Sequence, residues 1–433
     1  MTVIFHFLLS VLIEAFLPCF VLLQIKPNMV LSKHFFTMQH HILINICAIF
    51  GVATAVIIIC KFLKIRYIIG YLITGVLLSP NTSSYFADME EVEVYAEIGI
   101  ILLLFTVGLE FSFTNLKKIK NYVLIGGASQ VFLTIGITAI LIGVLMQPSW
   151  QESIFWGFLY ALSSTAIVVK VLQDSNKINT PHGRFILAVL LFQDIMIVPL
   201  MLFTPILAGA ADSSPLEALL WLLGKLVLMG GLAYLLARFI IPFFLKTVMK
   251  IQSQEVFLIA TVFIVTGIAL LTEELGLSLA LGAFIAGLII AETDYNHMAI
   301  SCFLPFRYVF MSFFFISMGM LLDYQIFLTD FGWIAFWFLF TLLVKAVAGM
   351  LAVRIMKMEW KTALAVGFSI AQIGEFSFVL AQSGLEYQLI SAENYQIFLA
   401  VSILLMSITP FIVIKSESIH PLLSSTIKFK KNE

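Results

Sequence analysis

The stretch RFILAVLLFQDIMIVPLMLFTPILA, residues 184–208, decides what kind of protein this is. It is apolar over more than the ~20 residues that a bilayer-crossing helix needs. Yet Gln193 and Asp194 stand at its centre. A charge at that depth costs at least about 2.5 kcal/mol, and such residues are retained where they serve a function. Asp194 is therefore the first candidate for a functional residue.

The composition of the whole chain is that of a polytopic membrane protein. Of its 433 residues, 61% are hydrophobic and 11% are charged, whereas soluble domains carry about 25% charge. The 24 Lys and Arg balance the 25 Asp and Glu, which disfavours nucleic acid as a partner. The four cysteines stand singly, with no metal or redox spacing. No ATP-binding or dinucleotide motif occurs, so we expect no enzyme activity, no cofactor, and any active transport to use an ion gradient.

Hydropathy predicts thirteen membrane spans from residue 41 onward. They cover roughly 41–60, 65–79, 96–113, 122–146, 153–173, 183–208, 216–245, 255–274, 276–292, 302–322, 331–355, 362–385 and 394–415. Lys and Arg collect in the loops on one side, while the alternate loops contain none and are acidic. Because basic residues gather on the cytoplasmic side, the C-terminus is predicted to be cytoplasmic.

The N-terminal region does not fit this charge pattern. An apolar stretch at 3–25 would, as a span, place Lys26 and Lys33 outside. We therefore expect residues 1–37 to be an appendage, either an extra helix or an artefact of start-site assignment. Residues 38–415 are predicted to form the transmembrane domain. Residues 416–433 are predicted to be a short cytoplasmic tail without a nucleotide-binding regulatory domain.

The two halves of the chain are predicted to be related by inversion. Spans 1–6 begin and end outside, and span 7 crosses the membrane, so spans 8–13 run with opposite topology. Inverted-repeat transporters have this arrangement, and they carry interrupted helices near the bilayer midplane. The fifth span of each half has small or polar residues at its centre, at 163–165 and at 372–375. We predict that both spans are discontinuous.

Four of the predicted spans bring polar residues to one depth. The residues are Ser163, Ser164 and Thr165; Gln193 and Asp194; Lys345; and Gln372 and Glu375. Another deep charge, Lys225, lies nearer the outer part of span 7 and could reach the interface. Structural roles are possible for each: a hydroxyl bonded to the preceding turn, an Asp194–Lys345 ion pair, or Glu375 neutralising a half-helix end.

The functional interpretation of this layer is a shared cation and proton site. A carboxylate in a partly dehydrated cavity can hold either a proton or a small hard cation, because such ions prefer oxygen ligands. Gln193 and the hydroxyls of 163–165 could supply further oxygens. Lys345 could neutralise Asp194 when no cation is bound, and Gln372 and Glu375 are expected to support the second interrupted helix.

The chain resembles the monovalent cation:proton antiporter-2 family over essentially 41–415. The motif LFQDI (191–195) is similar to the Gln-Asp motif of the glutathione-gated potassium efflux antiporters. Further similar motifs are LSSTA (162–166), QIGEF (372–376), GYLITGVLLSP (70–80), LFTVGLEF (104–111), LALGAFIAGL (279–288) and FFFISMGMLLD (313–323).

The resemblance implies the all-α sodium/proton antiporter fold, with about 13 transmembrane helices in two inverted six-helix repeats and two crossing discontinuous helices. It implies that a core domain of spans 4–6 and 11–13 moves against a dimerisation domain of spans 1–3 and 8–10. Asp194 matches the family's ion-binding aspartate, and Lys345 matches the lysine that pairs with it. A homodimer in lipid, in a bacterial inner membrane, is the implied setting.

The expected function is therefore exchange of K⁺ or Na⁺ for H⁺ by alternating access, with Asp194 as the shared site. Electrogenic sodium relatives have a second aspartate where this chain has Gln193, so the choice of cation stays open. Alternatives are a potassium channel or gated leak, an organic-anion carrier of related fold, and a non-transporting sensor. A separate regulatory subunit is left open.

Overall fold

In the computed structural model, helices are the only regular secondary structure among the described residues, which are 33–63, 65, 67–79, 82, 89–110, 121–209, 224, 228–275 and 279–416. The structure divides at Thr54, so that Lys33–Thr54 belongs to one compact unit and the residues from Ala55 belong to another. Most of the predicted appendage, residues 1–32, the tail beyond 416 and Lys225 lie outside the described residues.

The described helices are numbered in chain order. They are α1 (Lys33–Phe62), α2 (Tyr67–Leu78), α3 (Met89–Glu110), α4 (Tyr122–Leu145), α5 (Trp150–Ala161), α6 (Thr165–Asp174), α7 (Pro181–Leu207), α8 (Leu228–Met249), α9 (Gln254–Glu274), α10 (Leu279–Ala291), α11 (Asn296–Met320), α12 (Ile326–Thr329), α13 (Phe331–Ile355), α14 (Trp360–Ser369), α15 (Phe376–Glu386) and α16 (Ala392–Lys415).

The helices match the predicted spans. Among the described residues, eight helices are long and apolar enough to cross a membrane, namely α1, α4, α7, α8, α9, α11, α13 and α16. Three shorter apolar helices lie within α2, α3 and α10. The predicted spans 153–173 and 362–385 are each broken in two, as α5–α6 and α14–α15. The prediction of an all-helical, multi-pass membrane protein with two discontinuous helices is confirmed.

Side-chain caps mark where several of these helices begin. Ser149, Thr180, Ser253 and Ser391 each precede a helix in extended conformation and accept a hydrogen bond from a backbone N–H three residues on. This arrangement satisfies an N–H group that has no partner within the helix. Because α7 has its cap at Thr180 and ends at Leu207, Asp194 lies halfway along it.

Helix α8 changes its winding before a proline. Leu236–Ile240 form a π-helical turn, and the α-helical part that follows, Ile241–Met249, carries Pro242 in its first turn. A proline within a helix has no N–H to donate and its ring crowds the carbonyl four residues earlier. The wider turn accommodates both effects.

Two glycine crossings show the inverted symmetry of the halves. A Cβ added to Gly75 of α2 would lie 2.7 Å from the Cα of Gly319 of α11, and one added to Gly108 of α3 would lie 3.0 Å from the Cα of Gly287 of α10. Inversion exchanges span 2 with span 9 and span 3 with span 10. It therefore carries the first crossing onto the second, and only glycine permits backbones to approach so closely.

The discontinuous helices also make glycine contacts that are related by inversion of the two halves. Gly157 of α5 packs against the backbone of Ile135 in α4, and Gly367 of α14 packs against the backbone of Ala346 in α13. Helices α4–α7 and α13–α16 pack on one another, and we call them the core helices. Helices α2, α3 and α9–α11 pack mainly on one another, and we call them the scaffold helices.

Candidate functional site

The first break separates α5 from α6 in the middle of the core helices. Helix α5 ends at Ala161, Leu162 and Ser164 are extended, and α6 begins at Thr165. The Ser164 hydroxyl accepts a hydrogen bond from the N–H of Ile167 at 3.4 Å and so caps α6. Non-helical backbone at membrane depth is tolerated where the protein satisfies its polar groups. The partners of this short segment therefore define the site.

Lys345 of α13 binds the carboxyl end of α5. Its ammonium donates hydrogen bonds to the carbonyl of Tyr160 and, at 2.7 Å, to the carbonyl of Leu162. The side chain is fully buried. A cation is favourable there because the last carbonyls of a helix carry partial negative charge. The structure thus gives Lys345 a role on the broken backbone, while its predicted pairing with Asp194 stays a prediction.

Two glutamines bond to the same break from the other side. The side-chain oxygen of Gln193 in α7 accepts a hydrogen bond from the N–H of Ser163 at 2.8 Å. The Gln193 amide nitrogen donates to the side-chain oxygen of Gln130 in α4 at 2.6 Å. The Gln130 nitrogen in turn reaches the carbonyl of Ala161 at 3.4 Å. Three carbonyls and one N–H of the break are therefore bonded by side chains from three helices.

Asp194 faces the amino end of α6. The hydroxyl of Thr165, the first residue of that helix, lies 3.0 Å from each of the two carboxylate oxygens and donates to them. Only 6% of Asp194 is exposed. The exposed N–H groups at a helix start favour negative charge, and the hydroxyl adds a charge-assisted hydrogen bond. The structure thus brings Asp194 and Thr165 together.

The second break crosses the first. Helix α14 ends at Ser369 and α15 begins at Phe376. The N–H of Gly374 donates to the carbonyl of Leu162 at 3.2 Å, and the Ser163 hydroxyl donates to the carbonyl of Ile370 at 2.9 Å. A Cβ on Gly374 would lie 2.6 Å from the carbonyl carbon of Ser163. The two discontinuous helices therefore touch through their backbones at this point.

The remaining predicted residues lie in that second break. Glu375 immediately precedes α15 and is buried, which places its carboxylate where a helix start favours negative charge. Gln372 is also buried. In the described part of the chain, neither polar atom of the Gln372 side chain has a hydrogen-bond partner, so this amide is available at the crossing.

Gln130 is the residue that the sequence analysis missed. A signal was present, because Gln130 and Thr134 lie within predicted span 122–146, whose centre is residue 134. They share one helix face, since residues four apart lie one above the other. Both are fully buried. A fifth span thus contributes to the polar layer that was predicted from four.

Comparison with known proteins agrees with this architecture. The family described as "Sodium/hydrogen exchanger, transmembrane" matches residues 49–415. The chain belongs to this exchanger family. The family prediction, a monovalent cation:proton antiporter family, is confirmed.

Relatives of the exchanger-family chain include two proteins from Arabidopsis thaliana. K(+) efflux antiporter 4 is 34% identical over 353 residues, which cover 80% of this chain and 59% of the relative. K(+) efflux antiporter 5 is 31% identical over 354 residues, with 80% and 61% covered. The chain thus spans about three-fifths of the length of these relatives.

Solved structures with this fold include the sodium proton antiporter MjNhaP1 from Methanocaldococcus jannaschii. The structure at pH 8 matches with a TM-score of 0.61 at 16% identity, covering 88% of this chain and 96% of that one. A structure from electron microscopy matches with a TM-score of 0.55 at 17% identity, covering 93% and 98%. The predicted sodium/proton antiporter fold is confirmed.

Proposed function

We propose that this protein is a secondary antiporter that exchanges a monovalent cation, K⁺ or Na⁺, for H⁺, with Asp194 as the shared site. The observation that carries the proposal is the buried Asp194 carboxylate, held by Thr165 at the point where two interrupted helices cross. Membership of the exchanger family and the names of the two Arabidopsis thaliana relatives support the same class of transport.

The chemistry of exchange follows from one carboxylate with two alternative ligands. A proton on Asp194 removes the negative charge that a cation requires, and a bound cation opposes protonation. The Thr165 hydroxyl donates to the carboxylate in its ionised form, and its oxygen can also serve as a ligand for the cation. The further proposed ligands are the oxygens of Ser163 and Ser164 in the break and of Gln193, which is bonded to it.

Alternating access requires the site to face each side of the membrane in turn. Within the described residues, the side chains that bond the first break belong to core helices: Gln130, Gln193, Asp194 and Lys345. We propose that these helices move as one body against the scaffold helices, which hold the dimer contact in the surrounding lipid. We propose further that the C-terminus is cytoplasmic, because the basic loops lie on its side of the membrane, and that the membrane is a bacterial inner membrane.

The transport of an organic anion fits the site less well. An anion carrier needs an exposed cation or positive helix ends directed at the substrate. Lys345 is fully buried and its ammonium donates to two carbonyls, while Asp194 stands at the start of α6. A potassium channel would conduct without counter-movement of protons, and flux measurements separate it from an antiporter.

The test is exchange in proteoliposomes with an internal pH dye, with K⁺ and Na⁺ compared over a pH series. Addition of the transported cation should dissipate a preformed pH gradient, and Asp194→Asn should abolish the response. Asp174→Asn is the matched control, because Asp174 is half exposed on α6 and pairs with Lys170 at 3.0 Å. Full activity of Asp194→Asn would refute the proposal, and cation flux without proton movement would indicate a channel.

A further inference from the structure

Gln130 of α4 is a fully buried amide that lies one hydrogen bond from the Gln-Asp pair. Its nitrogen donates to the Thr134 hydroxyl at 3.0 Å and to the Ala161 carbonyl at 3.4 Å, and its oxygen accepts from Gln193. The Thr134 hydroxyl donates its own hydrogen bond to the backbone carbonyl of Gln130 at 2.8 Å. Its oxygen is therefore left to accept from the Gln130 amide.

The orientation of both amides is determined by backbone groups that can only accept or only donate a hydrogen bond. The carbonyl of Ala161 can only accept, so the nitrogen of Gln130 must face it. The oxygen of Gln130 then faces Gln193, which must present its own nitrogen. The oxygen of Gln193 is left to face the N–H of Ser163, which can only donate. Turning either amide by half a rotation would place like groups against each other at both contacts.

This series of bonds closes a loop across the first break. It starts at Ala161 and returns to the chain at Ser163, two residues on, by way of Gln130 and Gln193. Asp194 follows Gln193 directly on α7 and bonds Thr165 on the far side of the break. The loop therefore determines where the first residues of α6 stand relative to the Asp194 carboxylate.

We propose that Gln130 is a positioning residue for the ion site. It holds the Gln193 amide in one orientation, and through it keeps the break at 161–163 at a set distance from Asp194. This inference rests on the proposed antiport at Asp194 and assigns Gln130 no contact with the ion. Residues that orient ligands from outside the ligand shell commonly change affinity by about tenfold to a hundredfold when they are lost.

The test uses three variants of similar size in the full-length protein. Gln130→Met keeps the length of the side chain and removes both polar groups. Gln130→Glu keeps an acceptor for Gln193, and its protonated form can still donate to Ala161. Thr138→Val is the matched control, because Thr138 is equally buried two turns further along α4 and, among the described residues, its hydroxyl has no hydrogen-bond partner.

Two measurements are made on each variant. Hydrogen exchange by mass spectrometry reports on the backbone around Ser163, with α9 (Gln254–Glu274) of the scaffold helices as the internal reference. Exchange kinetics in proteoliposomes give the KM for the cation and the maximal rate separately. In Gln130→Met we expect faster amide exchange at the first break and a KM raised about tenfold or more. Gln130→Glu should restore most of both values, and Thr138→Val should match the wild type.

Each result decides a different statement. Unchanged amide exchange around Ser163 in Gln130→Met would overturn the hydrogen-bonded loop itself. Faster amide exchange with an unchanged KM would overturn the positioning role while leaving the antiport proposal intact. If wild-type protein moves no protons against K⁺ or Na⁺, the proposed function fails, and the hydrogen-exchange arm still decides whether Gln130 holds the break.

Discussion

Replacing Lys345 with methionine should destabilise the core helices by an amount that follows from its two hydrogen bonds. The substitution keeps the apolar stem and removes the ammonium that bonds the carbonyls of Tyr160 and Leu162. The Leu162 carbonyl keeps the N–H of Gly374 at 3.2 Å. The Tyr160 carbonyl loses its donor at the end of α5, and an unsatisfied buried acceptor costs about 1–3 kcal/mol. We expect the free energy of unfolding to fall by that amount.

The assay is unfolding in mixed micelles with increasing denaturing detergent, followed by tryptophan fluorescence. Trp156 of α5 and Trp337 of α13 stack with ring centroids 5.6 Å apart, so two of the six tryptophans report on the contact between the two helices that Lys345 joins. Lys170→Met is the control, because Lys170 forms an exposed pair with Asp174 and such pairs contribute about 0.3–0.5 kcal/mol.

Equal losses of unfolding free energy in the two variants would refute this reasoning. Retained stability together with a changed voltage dependence of exchange would instead favour a direct electrostatic role for Lys345 beside Asp194. Measuring both properties on the same preparation therefore separates the structural contribution of the ammonium from its proposed contribution to charge balance.

Two further substitutions test the site and the crossing. Thr165→Val removes the hydroxyl bonded to both oxygens of Asp194. A hydrogen bond to a charged group contributes about 1.5–3 kcal/mol, so the KM for the cation should rise about tenfold. Thr165→Ser should keep a KM near that of the wild type, and an unchanged KM in the valine variant would contradict the geometry. Gly374→Ala places a methyl group 2.6 Å from the Ser163 carbonyl carbon and should reduce folded protein in size-exclusion chromatography. Gly136→Ala, with no atom within 4 Å of the added carbon, should be neutral or stabilising by about 0.5–1 kcal/mol; equal yields of the two alanine variants would argue against a tight crossing.

The helices and their breaks could be predicted from the sequence because hydropathy and backbone disruption are local properties. An apolar run of about 20 residues must cross the bilayer as a helix, since lipid offers no other partner for the backbone. The run at 331–355 was predicted with the bounds that α13 shows. The two helix breaks were predictable for a similar reason, because small and polar residues at 163–165 and 372–375 stand at the centre of otherwise apolar spans.

The partners within the site could not be predicted in the same way. Lys345 and Asp194 have opposite charges at one depth, and their pairing stays a prediction. In the structure, the ammonium bonds the carbonyls of Tyr160 and Leu162, more than 180 positions away. Gln130 was passed over because a single amide in a long apolar span has no pattern of its own.

The sequence by itself determined the membrane class, the helix order, the two interrupted spans and the depth of Asp194, because each depends on the composition of one continuous segment. Only the tertiary structure decided which side chains form hydrogen bonds with the backbone groups of the break between α5 and α6. That outcome depends on which faces of α4, α7 and α13 turn toward the break, and rotation about a helix axis is set by packing against neighbours. The stretch 184–208 thus predicted a carboxylate within the membrane. The tertiary structure shows that Thr165 bonds this carboxylate and that Gln193 bonds both Ser163 and Gln130.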